Sequence, residues 1–158
     1  MVAPVIRVGL IGHGTVGSAF ADALHARTDS ITQRADVRLV LAQIATRTPG
    51  VRSPLPCAAR GHGDAATLAD DPSIDIVVEA SGAGDAAQWI RRALARGASV
   101  VNAQGERYAE AELRTSLAGL LTLHGQGAGG RGTAAALRGD TISAARAIAR
   151  GRLSRIAS

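Results

Sequence analysis

Val5–Gly17, with the sequence VIRVGLIGHGTVG, is the stretch that decides the fold of this chain. Its first half is an almost continuous apolar run, typical of a strand buried on both faces of a parallel sheet. A GxGxxG loop follows, and the helix-favouring residues SAFADALHAR come directly after it. A strand, a glycine loop and a helix in this order predict a dinucleotide-binding unit, whose loop consists of Gly12, His13, Gly14, Thr15, Val16 and Gly17.

Each glycine of the loop has its own predicted role. Gly12 allows the tight turn, Gly14 lets the backbone approach a diphosphate, and Gly17 lets the helix pack closely on the strand. The free N–H groups and the partial positive charge at the start of the helix favour phosphate. The alternative is a glycine-rich turn that binds nothing.

Composition limits the classes of protein that remain. The chain has 158 residues, enough for one domain, and 46% hydrophobic but only 2% aromatic residues, so the core consists of Ala, Val, Leu and Ile. No apolar run approaches the ~20 residues of a membrane span, and the first residues lack a signal-peptide pattern. The single cysteine, Cys57, fits a reducing compartment. We therefore expect a cytoplasmic protein without a membrane partner, and the histidine spacing predicts no metal site.

The formal charge of +5 suggests a nucleic-acid partner, but no basic run is interleaved with aromatic residues that could stack on bases. We therefore expect no nucleic-acid partner. The denser arginine cluster at Arg146–Arg155 is either a solvated helix end or a contact for an anionic group. All eighteen basic residues are arginine.

Strand-like and helix-like segments alternate along the chain, which predicts an α/β fold: a single Rossmann-type, doubly wound parallel sheet with flanking helices. We predict one NAD(P)-binding domain over residues 1–158, with a core at 1–121 and a return loop and C-terminal helix at 122–158. Further strands are predicted at Val37–Ala45, Ile74–Ala80 and Ala98–Val101, a long loop at Arg47–Gly63, and helical segments at Ala65–Ala69, Asp85–Arg96, Glu106–Leu121 and Thr133–Arg150.

The end of the second predicted strand bears on the choice of cofactor. An acidic side chain there binds the adenosine ribose of NAD, whereas an arginine accommodates the 2′-phosphate of NADP. This strand ends in Ala45-Thr46-Arg47 without a carboxylate. Arg47, with Arg52 as a possible second contact, therefore favours NADP, because a guanidinium binds phosphate bidentately, and NAD stays possible. The alternative is a loop arginine in solvent.

Three segments, VGLIGHGTVG, IATRTP and DPSIDIVVEASGAGDAAQWIRRALARGASVVNA, resemble the nucleotide-binding domain of homoserine dehydrogenase. GQGAGGRGTAAALRGD, at Gly125–Asp140, resembles the segment with which that family returns to its nucleotide-binding domain. The resemblance implies that the glycine loop holds the diphosphate and that Ser81 and Gly82 flank the cofactor. It also implies a nicotinamide side bordered by Val101, Asn102, Ala103, Gln104, Gly127 and Ala128.

The chain departs from the family at three places. Gly105 stands where the family has the lysine proposed as its acid/base, and the chain contains no other lysine. The family inserts its substrate-binding and dimerisation domain where this chain has only Thr122-Leu123-His124. Gly132 replaces the family's proline before the last helix.

Two functions therefore stay open: an NADP-dependent oxidoreductase for an atypical small carbonyl or imine substrate, or a non-catalytic cofactor-binding accessory or sensor protein. A homodimer is predicted, because a domain without its second lobe should leave apolar surface uncovered. Glu79 is predicted to anchor loop N–H groups rather than to act as a base. No residue is identified as catalytic; the candidate proton donors are His13, Glu106, Tyr108 and His124.

Overall fold

The computed structural model describes residues 3–47, 60–62, 64–103, 108–115, 119–126 and 130–156. At its centre is a five-stranded parallel sheet in the order β3-β2-β1-β4-β5. The strands β2 and β3 follow on one side of β1, and β4 and β5 lie on its other side. A topological switch point therefore lies between β1 and β4. The strands are β1 (Val5–Ile11), β2 (Arg38–Ala45), β3 (Arg60–His62), β4 (Ile76–Glu79) and β5 (Ser99–Asn102).

Helices cover both faces of the sheet and bury two separate hydrophobic clusters. The larger cluster joins the sheet to α1 (Thr15–Ala26), α2 (Thr28–Ala35) and α5 (Gly130–Ile156). The smaller cluster joins it to α3 (Ala65–Asp70) and α4 (Ala86–Ala95). The predicted doubly wound α/β fold is confirmed.

Side chains of β1 supply both clusters. Ile6, Val8 and Leu10 are fully buried in the larger cluster, whereas Ile11 belongs to the smaller one. Gly9 lies on the side of α3, where an added Cβ would come within 2.7 Å of the Leu68 side chain. The apolar run is therefore a strand buried on both faces, as its sequence predicts.

Most predicted elements are present with slightly different ends. The strands β2, β4 and β5 and the helices α3 and α4 lie where the sequence predicts them, and Gly97, with a φ of +89°, follows α4. The last helix begins at Gly130, three residues earlier than predicted, and continues beyond Arg150 to Ile156.

The predicted helix at Glu106–Leu121 is wrong. Two antiparallel strands lie there instead, β6 (Tyr108–Thr115) and β7 (Gly119–Gln126). In β6 the charged residues Glu110, Glu112 and Arg114 alternate with less polar ones, which is the period of two of a strand. The abundance of Ala, Glu and Leu, which are strong helix formers, led to the wrong prediction.

Two further elements differ from the prediction. The strand β3 lies within the predicted loop at Arg47–Gly63, and it pairs with the end of β2. The helix α2 was not predicted. Arg52 and Cys57 lie outside the described residues. The strand β7 crosses the predicted division at residue 121.

No helix within the described ranges is long and apolar enough to span a membrane. Among the described residues, Val5, at 45% exposure, is the most exposed large hydrophobic side chain, and others such as Trp89 and Ile90 are partly buried. The homodimer stays a prediction.

Two glycine substitutions test the packing of α1 against β1. In Gly17→Ala the new Cβ would lie 2.9 Å from the Gly12 carbonyl carbon and closer still to its oxygen. Because backbone cannot move aside cheaply, we expect a loss of about 2 kcal/mol or more in the free energy of unfolding, measured in urea. In Gly139→Ala, on α5, a Cβ meets nothing within 4 Å. This control should gain up to about 1 kcal/mol, as alanine does in a helix. Equal stabilities of the two variants would contradict the packing described.

Candidate functional site

A cleft of about 740 Å³ lies at the carboxyl ends of the parallel strands, beside the switch point. Its volume is in the range of cofactor and ligand sites. Backbone hydrogen bonds of 2.8 Å join the segments that line it: the Gly12 amide donates to the Ala45 carbonyl, and the Ala80 amide donates to the Ile11 carbonyl. The residues that line it are Ile11, Gly12, His13, Gly14, Ala45, Thr46, Arg47, Asp64, Ala65, Ala80, Ser81, Ala83, Asp85 and Trp89.

The first two glycines of the loop occupy opposite environments. Gly12 has a φ of +93°, and an added Cβ would lie 2.5 Å from Ser81 Cα, so both conformation and space require glycine. At Gly14, by contrast, an added Cβ would meet no protein atom within 4 Å. The open space over Gly14 is where a diphosphate must approach the backbone in a dinucleotide site.

The start of α1 is open to an anion. Gly14 is its N-cap residue, and no side chain caps the helix. Its first amides therefore need an acceptor from outside the helix. The first residue of α5 lies at the same place, because a Cβ on Gly130 would be 2.8 Å from Thr15 Cγ2. Two helices thus begin beside the glycine loop.

Glu79 holds the loop that follows β4. It is 1% exposed, and its carboxylate accepts hydrogen bonds from the Ser81 amide at 2.7 Å and from the Ser81 hydroxyl. Burial raises the pKa of the Glu79 carboxyl, the bonds from Ser81 oppose this, and Asp85 adds to the rise. The prediction that Glu79 anchors loop N–H groups is confirmed.

Two buried polar atoms near the cleft have no hydrogen-bond partner among the described residues: His13 Nε2 and Asn102 Oδ1. His13 is 6% exposed and lines the cleft. Asn102 ends β5, in register with Glu79 on β4. Buried groups of this kind usually have a partner, and leaving one unmade costs about 1–3 kcal/mol. A molecule bound in the cleft would be a partner for the His13 imidazole, whereas Asn102 is not among the residues that line the cleft.

The charged side chains of the cleft are Arg47, Asp64 and Asp85. Asp64 is the N-cap of α3 and accepts from the Ala66 amide at 2.9 Å and from the Thr67 hydroxyl, so its carboxylate already has a structural role. Asp85 precedes α4 and makes no side-chain cap bond. Arg47 is exposed directly after β2.

The structure places five of the predicted cofactor-binding residues on the cleft: Gly12, His13, Gly14, Arg47 and Ser81. Thr15, Val16 and Gly17 form the first turn of α1, while Asn102 and Ala103 end the β5 region and Gly82 follows Ser81 in the loop. Gly127 and Ala128 lie outside the described residues.

Sequence reasoning missed several lining residues, among them Asp64, Ala65, Asp85 and Trp89. Asp64 and Asp85 each stand just before a helix, a position at which aspartate is common. That signal identifies a helix start but not a ligand site. The two helices reach the cleft only because they pack on the same face of the sheet.

Residues 12–128 match the family described as homoserine dehydrogenase, NAD binding domain. The chain belongs to this family. The match supports an oxidoreductase role and a nicotinamide cofactor, and the resemblance inferred from the sequence motifs is confirmed. The geometry of the three loop glycines, the uncapped start of α1 and the unpartnered His13 nitrogen fit such a cofactor.

Solved homoserine dehydrogenases share the fold of this family member. The Staphylococcus aureus enzyme at pH 7.5 is 26% identical, with a TM-score of 0.58 over 63% of this chain and 25% of that chain. The enzyme from Thiobacillus denitrificans is 34% identical, with a TM-score of 0.57 over 63% of this chain and 23% of that chain. The present chain thus spans about a quarter of the length of these enzymes.

An NAD binding oxidoreductase from Klebsiella pneumoniae is 27% identical, with a TM-score of 0.52 over 61% of this chain and 26% of that chain. No curated protein matches the chain. Within the described ranges, no group of three or more His, Cys, Asp or Glu side chains is arranged to hold a metal ion.

The pKa of Glu79 predicts a pH-dependent effect of Glu79→Gln. The pKa of the Glu79 carboxyl in the folded protein lies above 4.5, its ordinary value. As the pH rises beyond 4.5, the unfolded chain loses this proton first, so ionisation of Glu79 lowers the stability of the folded protein. At pH 4, where the carboxyl is neutral, the variant should be less stable by about 1 kcal/mol, because a hydrogen-bond partner of Ser81 is altered. At pH 7 this deficit should shrink or reverse in urea unfolding. A deficit independent of pH would contradict the assignment.

Proposed function

We propose that this chain is a homoserine-dehydrogenase-like oxidoreductase that binds NADP(H) and transfers hydride to or from an atypical small carbonyl or imine substrate. The observation that carries the proposal is the cleft itself: a glycine loop with open space over Gly14, an uncapped helix start, and Arg47 at the end of β2. When bound, the nicotinamide group supplies the hydride chemistry. The chain's own residues bind and orient that group.

The residues divide by the part of the cofactor that they would hold. The glycine loop, Gly12–Gly17, would take the diphosphate on the amides at the start of α1. Arg47 would take the 2′-phosphate, since Asp64 is already used as a helix cap. Ser81 and Gly82 would flank the cofactor, and the nicotinamide side would lie near Asn102, Ala103, Gly127 and Ala128.

Two of the candidate proton donors, Tyr108 and His124, belong to the β6–β7 hairpin. The strand β6, which begins at Tyr108, packs against β5, and β7 carries His124 in register with Glu110. Glu106 lies outside the described residues. A small-molecule substrate would therefore meet the cofactor between the end of β5 and the β6–β7 hairpin.

A second function, a non-catalytic accessory or sensor protein that binds the cofactor, is supported by Gly105, which stands where the family has its proposed catalytic lysine. Both functions require the same cofactor site. They differ in turnover alone. The proposal also includes a cytoplasmic location, since a single cysteine fits a reducing compartment, and a homodimer.

Arg47→Ala tests the cofactor preference. The wild type should bind NADPH more tightly than NADH, followed by the fluorescence of Trp89, which lines the cleft. Removing the guanidinium should weaken NADPH binding about tenfold or more and leave NADH binding nearly unchanged, because only NADPH carries the 2′-phosphate.

Two variants serve as controls for Arg47→Ala. Arg91→Ala removes an exposed arginine on α4 and should change neither affinity. Gly14→Val should stay folded, because space is open there, but should lose both nucleotides, because its side chain fills the diphosphate position. Equal losses of NADPH and NADH in Arg47→Ala would refute the phosphate assignment.

Turnover separates the two functions. Oxidation of NADPH is measured against a panel of small aldehydes, ketones and imines, with Gly14→Val as the inactive reference. We expect cofactor-dependent reduction of at least one compound by the wild type and none by the variant. Saturable NADPH binding without any turnover would instead establish the non-catalytic function.

A further inference from the structure

Within the glycine loop, His13 has a buried side chain that binding of a diphosphate by the loop amides does not require. Its side chain is almost completely buried, yet it lines the cleft, and its Nε2 atom has no hydrogen-bond partner among the described residues. On one side it follows Gly12, whose backbone is held against Ser81, and on the other it precedes Gly14, which borders the open space. Because Nε2 itself is covered, it can bond a group in the cleft only when the imidazole ring turns toward the open space, and such a group would then give it the partner it lacks.

We propose that the His13 imidazole donates a hydrogen bond from Nε2 to a diphosphate oxygen of the bound nicotinamide nucleotide. The inference rests on the proposed function and adds a specific side-chain contact to it. The backbone amides at the start of α1 would bind the same group, so the imidazole supplements a site that is otherwise made of main-chain donors.

Formation of this hydrogen bond is coupled to the uptake of a proton by the imidazole. In the free protein, burial lowers the pKa of His13, and the Asp22 carboxylate opposes that effect. The free imidazole is therefore neutral at neutral pH. A diphosphate bound at Nε2 brings negative charge to the ring and raises its pKa, so that binding takes up a proton. Affinity then rises as the pH falls through the pKa of the bound state and levels off below that of the free state.

Charged groups other than His13 also surround the loop. They lie on each element around the cleft: Asp22 on α1, Arg47 after β2, Glu79 on β4, Asp64 before α3, Asp85 before α4 and Arg131 on α5. The 2′-phosphate of NADPH titrates as well. All of them are present in every variant described below, so a difference between variants isolates the imidazole.

Calorimetry of NADPH binding in two buffers of different ionisation enthalpy measures the protons taken up. The wild type should take up a larger fraction of a proton at pH 7 than His13→Gln, whose amide can still donate a hydrogen bond but cannot titrate. His13→Gln should keep its affinity within about threefold, whereas His13→Leu should lose about tenfold because it has no donor. His25→Gln, at an exposed site on α1, should match the wild type.

The outcomes separate this inference from the proposed function. Tight NADPH binding with equal proton uptake by the wild type and His13→Gln would overturn the role of His13 and leave the nucleotide site standing. Absence of binding by a folded wild type, judged by circular dichroism, would overturn both. If NADH alone bound, only the phosphate assignment of Arg47 would fall, and the same comparison made with NADH would decide the role of His13.

Discussion

The first turn of α1 lies so close to the turn after β1 that side chains are excluded at two backbone positions. Gly17 faces the Gly12 carbonyl, and Gly12 in turn faces the backbone at Ser81. These close backbone contacts hold the start of α1 against the sheet where the carboxyl ends of β1 and β4 lie side by side. The cleft and the uncapped amides of α1 both follow from this arrangement, since the helix axis has no freedom to move away from the strand ends.

The same junction sets the electrostatics of the site. The buried Glu79 carboxylate accepts hydrogen bonds from Ser81 and so holds the loop that faces Gly12. A buried acid with a raised pKa is a cost to stability, and the chain retains it where it positions a loop beside the cleft. The cleft beside this loop is lined by the glycine loop and by three charged side chains, those of Arg47, Asp64 and Asp85. The guanidinium of Arg47 and the uncapped amides of α1 are groups that favour an anion.

The pattern of apolar residues predicted the strands that are buried on both faces, but it did not predict the strands that depend on pairing with another segment. The continuous apolar runs of β1 and β4 are buried on both faces, so their sequences contain the whole signal of a parallel strand. In β6, strong helix formers obscured a period of two. Pairing with β7, from Thr115 with Gly119 to Tyr108 with Gln126, decided the structure. The three-residue β3 exists because it pairs with β2, and so short a segment carries almost no signal of its own.

By itself, the sequence determined the doubly wound fold, the glycine loop and the family, because these depend on local patterns: apolar runs, glycines at fixed spacing and helix starts. Only the tertiary structure decided which side chains share the cleft. Asp64 stands at the start of α3, and Asp85 and Trp89 belong to the start of α4 and to α4 itself. They line the same cleft as Arg47 because the two helices pack on one face of the sheet. It also decided that the nitrogen of His13 is buried without a partner, since burial depends on contacts between segments that no local pattern encodes.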